Sequence, residues 1–327
     1  MDEVVIYIKK KSTSEKSILD LNKSLPKDIL WLDLLDISPE EELKLEKELN
    51  IDIPTFEETK GLAISNRLYE DNKATYATIS LYLNNHGDIT NLESHTITFI
   101  IKNNFIITIR SSLPEFFDIK ASAINSKYKL VNKHSLRIFL LLIESFINNT
   151  ATLLEKIIYH LNDQTEKLTK NKNTSKIRYR DLLSDLAHAG NSITLIQESL
   201  TSFIRMIDFL HKTDNFIKSN DPFLSYISTF ASDLHSLKEQ TSFLSSKVNF
   251  LLDATLGLIN IEQNNIIKFF SIISVIFTPP MLIASIYGMN FYIMPELKWK
   301  FGYSLAIVLM IFSAYLPYRY IKKRGWF

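Results

Sequence analysis

The sequence predicts an α+β fold: an N-terminal α/β domain, a long helical hairpin, and a third helix continuing into the first of two C-terminal transmembrane helices. Three observations carry this expectation. Short β-branched and aromatic runs fill the first third; glycine and proline almost vanish over 134–279 while apolar residues recur at helical spacing; and two uncharged runs, 269–295 and 301–318, follow near the end of the 327 residues.

Taking the elements in order, "VVIYI", "ILWLDLL", "ATYATISLYL", "HTITFII" and "FIITIR" read as strands, rich in side chains that fit a pleated, half-buried surface. "TITFIIKNNFIITI" has an Asn-Asn centre that suits a tight hairpin turn. "SPEEELKLEKELN" reads as a helix opened by Ser38, with Pro39 in the first turn and acids after it, where carboxylates suit the helix dipole. These elements form a cytoplasmic α/β domain over residues 1–132. Beyond it, a helix over about 134–168, a turn in "TKNKNTSK" and a second helix to about 220 make the hairpin, and the third helix starts at Asp221. Nothing stops that helix before Pro279. It is a rod about 100 Å long at about 1.5 Å per residue, far longer than a bilayer is thick, so it is a stalk that enters the membrane as the first span. Hairpin and stalk take residues 133–265, the two-helix pore domain takes 266–321 with a periplasmic loop at 288–300, and a basic tail takes 322–327.

Composition narrows the function. A formal net charge of +1 gives no reason to expect nucleic acid as a partner, and the absence of cysteine removes disulfides, thiolate metal sites and cysteine nucleophiles. No "GxSxG", "HExxH", "GxGxxG" or "GxxxxGK" occurs, and the histidines, His86, His160 and His235 among them, lack ligand spacing, so neither an enzyme nor an organic cofactor is expected. Each uncharged run approaches the roughly 20 residues a helix needs to cross about 30 Å of hydrocarbon, which makes membrane lipid a partner. The opening "MDEVVIYIKK" has acids where a signal peptide needs bases, so the hydrophilic portion is expected in the cytoplasm. Arg319, Lys322, Lys323 and Arg324 after the second span, against Lys298 and Lys300 in the loop, favour both termini inside. The basic turn "KLTKNKNTSKIRYR" reads as a solvated hairpin tip.

The third helix carries the chemistry. At steps of 3 and 4, one seam passes Asp253, Gly257, Asn260, Asn264, Ile267, Ser271, Ser274, Thr278, Met281, Ser285 and Gly288. Every Ser and Thr within 269–286 falls on it. Polar groups at membrane depth are costly unless they face protein or water, and small hydroxyl residues also serve close helix packing, so both readings stand for single residues. The continuation of the seam to a carboxylate at Asp253 and its end at Asn290 favour a pore. Two spans cannot enclose one alone, so a symmetric ring of chains, an oligomeric funnel with this helix innermost, is required. Its mouth presents repeated Asn290 carboxamides. Mg2+ holds its water shell tightly, and neutral oxygens can accept hydrogen bonds from that shell without stripping it. Asn290 and Asp253 are therefore the expected metal contacts, largely through water.

Residues 247–303, "KVNFLLDATLGLINIEQNNIIKFFSIISVIFTPPMLIASIYGMNFYIMPELKWKFGY", closely resemble the bacterial CorA magnesium and cobalt transporters, whose hallmark is Tyr-Gly-Met-Asn followed by "MPEL". Over the first two thirds the resemblance is architectural. It implies a homopentameric inner-membrane channel for hydrated Mg2+ that also passes Co2+ and often Ni2+ and is gated by cytoplasmic Mg2+ sensed between subunits. Gly288, Met289 and Asn290 carry over as the selectivity signature. Asp253 and Asn264 match pore-facing stalk positions, Thr278 and Met281 match lining positions, and Glu296, Lys298 and Lys300 fall in the loop. Where many relatives carry an acid two residues after the signature Asn, this chain has Tyr292, leaving Glu296 to attract cations. Where many read Leu-Pro-Pro-Thr, this chain reads "TPPM", which moves the apolar collar outward by about 5 Å. An acid that helps bind the sensing ion in some relatives is Thr229 here, with Asp233 one turn away. A zinc-transporting branch of the superfamily, and a membrane-anchored scaffold without transport, remain the alternatives.

Overall fold

The computed structural model describes residues 6–10, 17–18, 29–35, 37–55, 58–59, 67–71, 74–83, 92–102, 105–110, 127–129, 131, 134–170, 179–213, 222–290 and 292–325. The chain forms two compact units, Met1–Leu252 and Asp253–Phe327. In the first, strands Ile6–Lys10 (β1), Ser17–Ile18 (β2), Ile29–Leu35 (β3), Leu68–Glu70 (β4), Thr75–Leu83 (β5), Glu93–Lys102 (β6) and Phe105–Arg110 (β7) make a seven-stranded sheet in the order β2-β1-β3-β7-β6-β5-β4. Among the described strands only the central β3–β7 pair is parallel. The five sequence-read strands are present. β2 and β4, of two and three residues, are added; runs that short carry no periodicity to read. The β6–β7 pairing closes at Lys102 opposite Phe105, and the Asn-Asn centre itself lies outside the described residues.

Alternation along the strands sorts side chains into two cores. Tyr76, Ile100, Ile107, Ile109, Leu32 and Leu34 face one side, where they meet Leu45, Ile51 and Ile53. Leu45 belongs to helix Pro39–Leu49 (α1). That helix opens as its sequence predicts: the Ser38 hydroxyl accepts from the Glu41 N–H at 3.4 Å and the Glu41 carboxylate accepts from the Ser38 N–H at 2.9 Å. It closes at Asn50 in the left-handed region (φ 51), and Lys102 donates to the Leu49 carbonyl at 2.7 Å.

Ala77, Ile79, Leu81, Ile97, Phe99, Ile101, Ile106 and Trp31 face the other side, against helices His134–Lys170 (α2), Tyr179–Lys212 (α3) and the first part of Pro222–Tyr287 (α4). The hairpin is locked by Phe146 of α2 stacked on Phe203 of α3, ring centroids 3.7 Å apart. Asp33 and Arg110, both buried, pair across β3 and β7 at 2.6 Å. Thr108 donates to Asp33 at 2.6 Å and Trp31 donates to Thr108 at 3.0 Å, so the ion pair is fully hydrogen-bonded rather than bare.

Beside the sheet, Ser202 and Ser199 of α3 accept from the Ser80 and Tyr82 N–H groups of β5 at 3.1 and 2.8 Å, covering an edge that β4 is too short to pair. α3 ends at Lys212, before the expected 220, with the Thr213 hydroxyl donating to the Phe209 carbonyl; residues 171–178, the expected hairpin turn, and 214–221 lie outside the described residues. α4 begins at Pro222, since proline suits a first helical position, and runs unbroken through Pro279 and Pro280 to Tyr287. In the second unit a 3-10 turn, Pro295–Lys298, precedes helix Gly302–Lys323 (α5).

Candidate functional site

Three described helices are long and apolar enough to cross a membrane, and burial separates them. The apolar window of α2 is 61% buried inside the protein, that of α4 is 0% buried and that of α5 11%. α2 is a core helix. α4 and α5 expose Phe269, Phe270, Phe277, Leu282, Val308, Ile311 and Phe312, side chains that only lipid or further protein can cover. Aromatic residues mark both ends of α5: Trp299, Phe301 and Tyr303 at one end, Tyr318 and Tyr320 at the other, Tyr318 under Lys322 and Tyr320 under Arg324. Nineteen steps from Phe301 to Tyr320 at about 1.5 Å give about 28 Å, close to hydrocarbon thickness.

Asp253, Gly257, Asn260, Asn264, Ile267, Ser271, Ser274, Thr278, Met281, Ser285 and Gly288 are all exposed in the single chain. Half-buried positions of the membrane part are Ile272, Ile276, Pro279, Pro280, Ile283 and Tyr287. At about 100° per residue these two sets occupy opposite sectors of the helix. The hydroxyl seam therefore faces away from the side that the chain covers with its own residues.

Thr278 has a defined hydrogen bond: its hydroxyl donates to the Ser274 carbonyl one turn back at 2.6 Å. The proton points into the helix, so the oxygen presents only lone pairs outward. An acceptor turned outward matches a hydrated cation, whose bound waters present hydrogens. At the end of the helix the Gly288 N–H donates to the Ala284 carbonyl at 3.0 Å and that of Met289 to Ile286 at 3.2 Å. A β-carbon at Gly288 would lie 3.3 Å from the Ala284 oxygen, so glycine lets the chain turn closely against the last carbonyls. Met289 and Asn290 follow, exposed, and the Asn290 carboxamide has no partner among the described residues. Tyr292 is fully exposed; the Glu296 side chain lies outside the described residues, and Lys298 and Lys300 are exposed.

The sequence model of the CorA family, described as CorA-like Mg2+ transporter protein, matches residues 26–323. The chain belongs to the CorA family. This CorA chain is 33% identical to the magnesium transport protein CorA of Haemophilus ducreyi, over 91% of its own length and 92% of the relative's. It is 32% identical to that of Escherichia coli K12, over 94% and 95%. In structure it is similar to the complete CorA magnesium transporter of Methanocaldococcus jannaschii, with TM-score 0.77, 21% identity and full coverage of both chains. The cytoplasmic domain of ZntB from Vibrio parahaemolyticus is a more distant likeness, TM-score 0.53 and 12% identity over 78% of this chain.

The CorA resemblance thus extends well beyond the C-terminal segment that suggested it. In the first unit, Thr229 is exposed and its hydroxyl donates to the Ser225 carbonyl at 3.1 Å; Asp233 is exposed one turn on. The acids that act on one another most lie elsewhere. Asp52 is raised by burial, then by Glu46, Glu58 and Asp71, and Glu42 is raised by burial, then by Glu46, Glu58 and Asp52. Among the described residues no three acids or histidines come close enough together to hold a metal.

Proposed function

We propose that this chain is the subunit of a Mg2+ transporter: a homopentameric channel in the bacterial inner membrane, both termini cytoplasmic, in which the α4 seam of each copy lines a wet central path. The observation that carries this reading is the seam itself, turned away from the covered side of α4, with the Thr278 proton donated inward and the chain leading to Gly288, Met289 and Asn290. Membership of the CorA family and the names of its relatives support Mg2+ as the cargo. Asn290 and its neighbours receive the hydrated ion at the periplasmic mouth. Ser285, Met281, Thr278, Ser274 and Ser271 line the span, and Ile267, Asn264, Asn260, Gly257 and Asp253 continue the path into the cytoplasmic stalk, Asp253 as a ring of charge. A divalent ion moving inward gains about 4.6 kcal/mol per 100 mV of inside-negative potential, at about 2.3 per charge, so no nucleotide hydrolysis is required. Co2+ and Ni2+, similar in size and hydration, share the path. Cytoplasmic Mg2+ gates it through residues 1–265, and residues 266–321 conduct.

Flux of Mg2+, Co2+ and Zn2+ into liposomes holding the purified protein tests this. Potential-driven Mg2+ uptake that Asn290→Ala abolishes while the oligomer survives is the expected result. Full flux in that variant overturns the role of Asn290. Zinc movement that follows a pH gradient points to the zinc branch, and no flux of any ion points to a scaffold.

A further inference from the structure

At the sheet edge of the first unit, a cavity of about 630 Å3 opens between β4 and β5 on one side and α3 on the other. Its α3 wall is a polar stripe at helical spacing, Thr194, Gln197, Glu198, Thr201, Ser202 and Arg205, on a helix whose buried positions are mostly apolar. Arg67, Ser80 and Tyr82 form the sheet wall, and Lys238 of α4 reaches in. We propose that this cavity binds a small phosphate-bearing anion of about nucleotide size.

Charge points to an anion. The lining holds three cations, Arg67, Arg205 and Lys238, against one carboxylate, Glu198. Glu198 and Tyr82 share a hydrogen bond, so the carboxylate already has a use within the wall. Arg67 is held in place by donating to the Ser80 hydroxyl at 2.7 Å, and a fixed guanidinium is pre-organised for forked phosphate contacts. Arg205 and Lys238 make no side-chain hydrogen bond or ion pair among the described residues, although Lys238 is half-buried. A cation drawn partly out of water beside two arginines favours a bound counter-charge. The Thr194 and Thr201 hydroxyls donate back to the Gly190 and Gln197 carbonyls at 3.1 and 2.8 Å and so line the wall as small polar surface, while the Gln197 carboxamide offers both a donor and an acceptor.

Size points to more than a lone phosphate. Small-molecule sites run about 300–1,000 Å3, and the cavity falls in the middle of that range. It lies wholly within one unit of one chain, so the proposal is independent of the transport reading.

The test is calorimetric titration of the full-length protein in detergent, in Mg2+-free buffer, with ATP, pyrophosphate and inorganic phosphate in separate arms. Saturable ATP binding is expected, and Arg205→Ala with Lys238→Ala together should weaken it at least about tenfold through loss of two charge-assisted contacts. The thermal melt should stay unchanged, because neither side chain holds another part of the fold. Arg180→Ala, an exposed arginine at the start of α3 and outside the lining, should bind ATP like the parent. Pyrophosphate matching ATP would uphold the polyanion site and overturn the nucleotide size. No saturable binding of any of the three anions, or undiminished binding by the double variant, overturns the proposal.

Discussion

Helices α2 and α5 are almost equally apolar, yet 61% of the apolar stretch of the first is buried inside the protein and 11% of that of the second. Along α2 the exposed positions Thr152, Glu155, Lys156, Asn162, Asp163, Glu166 and Lys167 form a polar stripe, while Phe146, Leu154, Ile157 and Leu161 fill the core. In the membrane part of α4 the exposed positions are mostly Phe, Val, Leu and Ile, and the few hydroxyls gather on one line. Average hydropathy measures how much a helix prefers to leave water. The angular arrangement of its polar residues shows whether protein or lipid is what it enters.

If that contrast is right, equivalent substitutions in the two regions should have unequal effects on folding. Phe146→Ala removes a fully buried ring stacked on Phe203 and should cost about 3–5 kcal/mol; Phe277→Ala, at 61% exposure, should change the stability of the same unit by less than about 0.5 kcal/mol. Unfolding of the detergent-purified protein by denaturant reads both through the fluorescence of buried Trp31. Similar losses for the two variants would break the comparison.

The aspartates sharpen it. Asp33→Ala strands the Arg110 guanidinium in the core without its counter-ion and should cost about 3–5 kcal/mol. Asp253→Asn, at an exposed seam position, should leave the unfolding midpoint unchanged and alter ion flux instead. A smaller effect comes from Ser38→Ala, which removes a helix cap and should cost about 1 kcal/mol by the same measurement.

Much of this arrangement was legible in the residues. Strongly alternating strands, the Ser38 cap and the long proline-poor helices appear where the sequence places them, because local pattern and tertiary packing agree there. That the α4 hydroxyls share one line was legible as spacing; that this line lies opposite the half-buried positions was seen from the fold. The Thr278 hydrogen bond needed coordinates, since a hydroxyl has more than one rotamer. Strands β2 and β4 were too short to signal themselves. The Asp33–Arg110 pair joins residues 77 apart through the parallel β3–β7 register, which no local pattern encodes. The polar stripe on α3 was present in the sequence at helical spacing, but only the adjoining sheet edge makes it a cavity wall.

A pH-dependent effect concerns His95, on β6 and 6% exposed. Burial lowers its pKa below the ordinary 6.5, with the Glu93 charge opposing in part. In the folded protein the ring is then neutral where the unfolded chain would take up a proton, so the unfolded state binds more protons in that window. Stability from this group is fully present above about pH 6.5 and falls as pH drops from there toward the lowered folded value, at no more than about 1.4 kcal/mol per pH unit. Asp52 and Glu42, whose pKa values are raised, act with the opposite sign in their own window: their protonation on acidification relieves a cost of folding. Comparing parent and His95→Leu from about pH 7.5 to about pH 5 isolates the histidine. The variant should show a flatter decline, whereas parallel curves would mean that His95 takes up its proton without leaving the fold, and that this part of the core is wetter than α2 is.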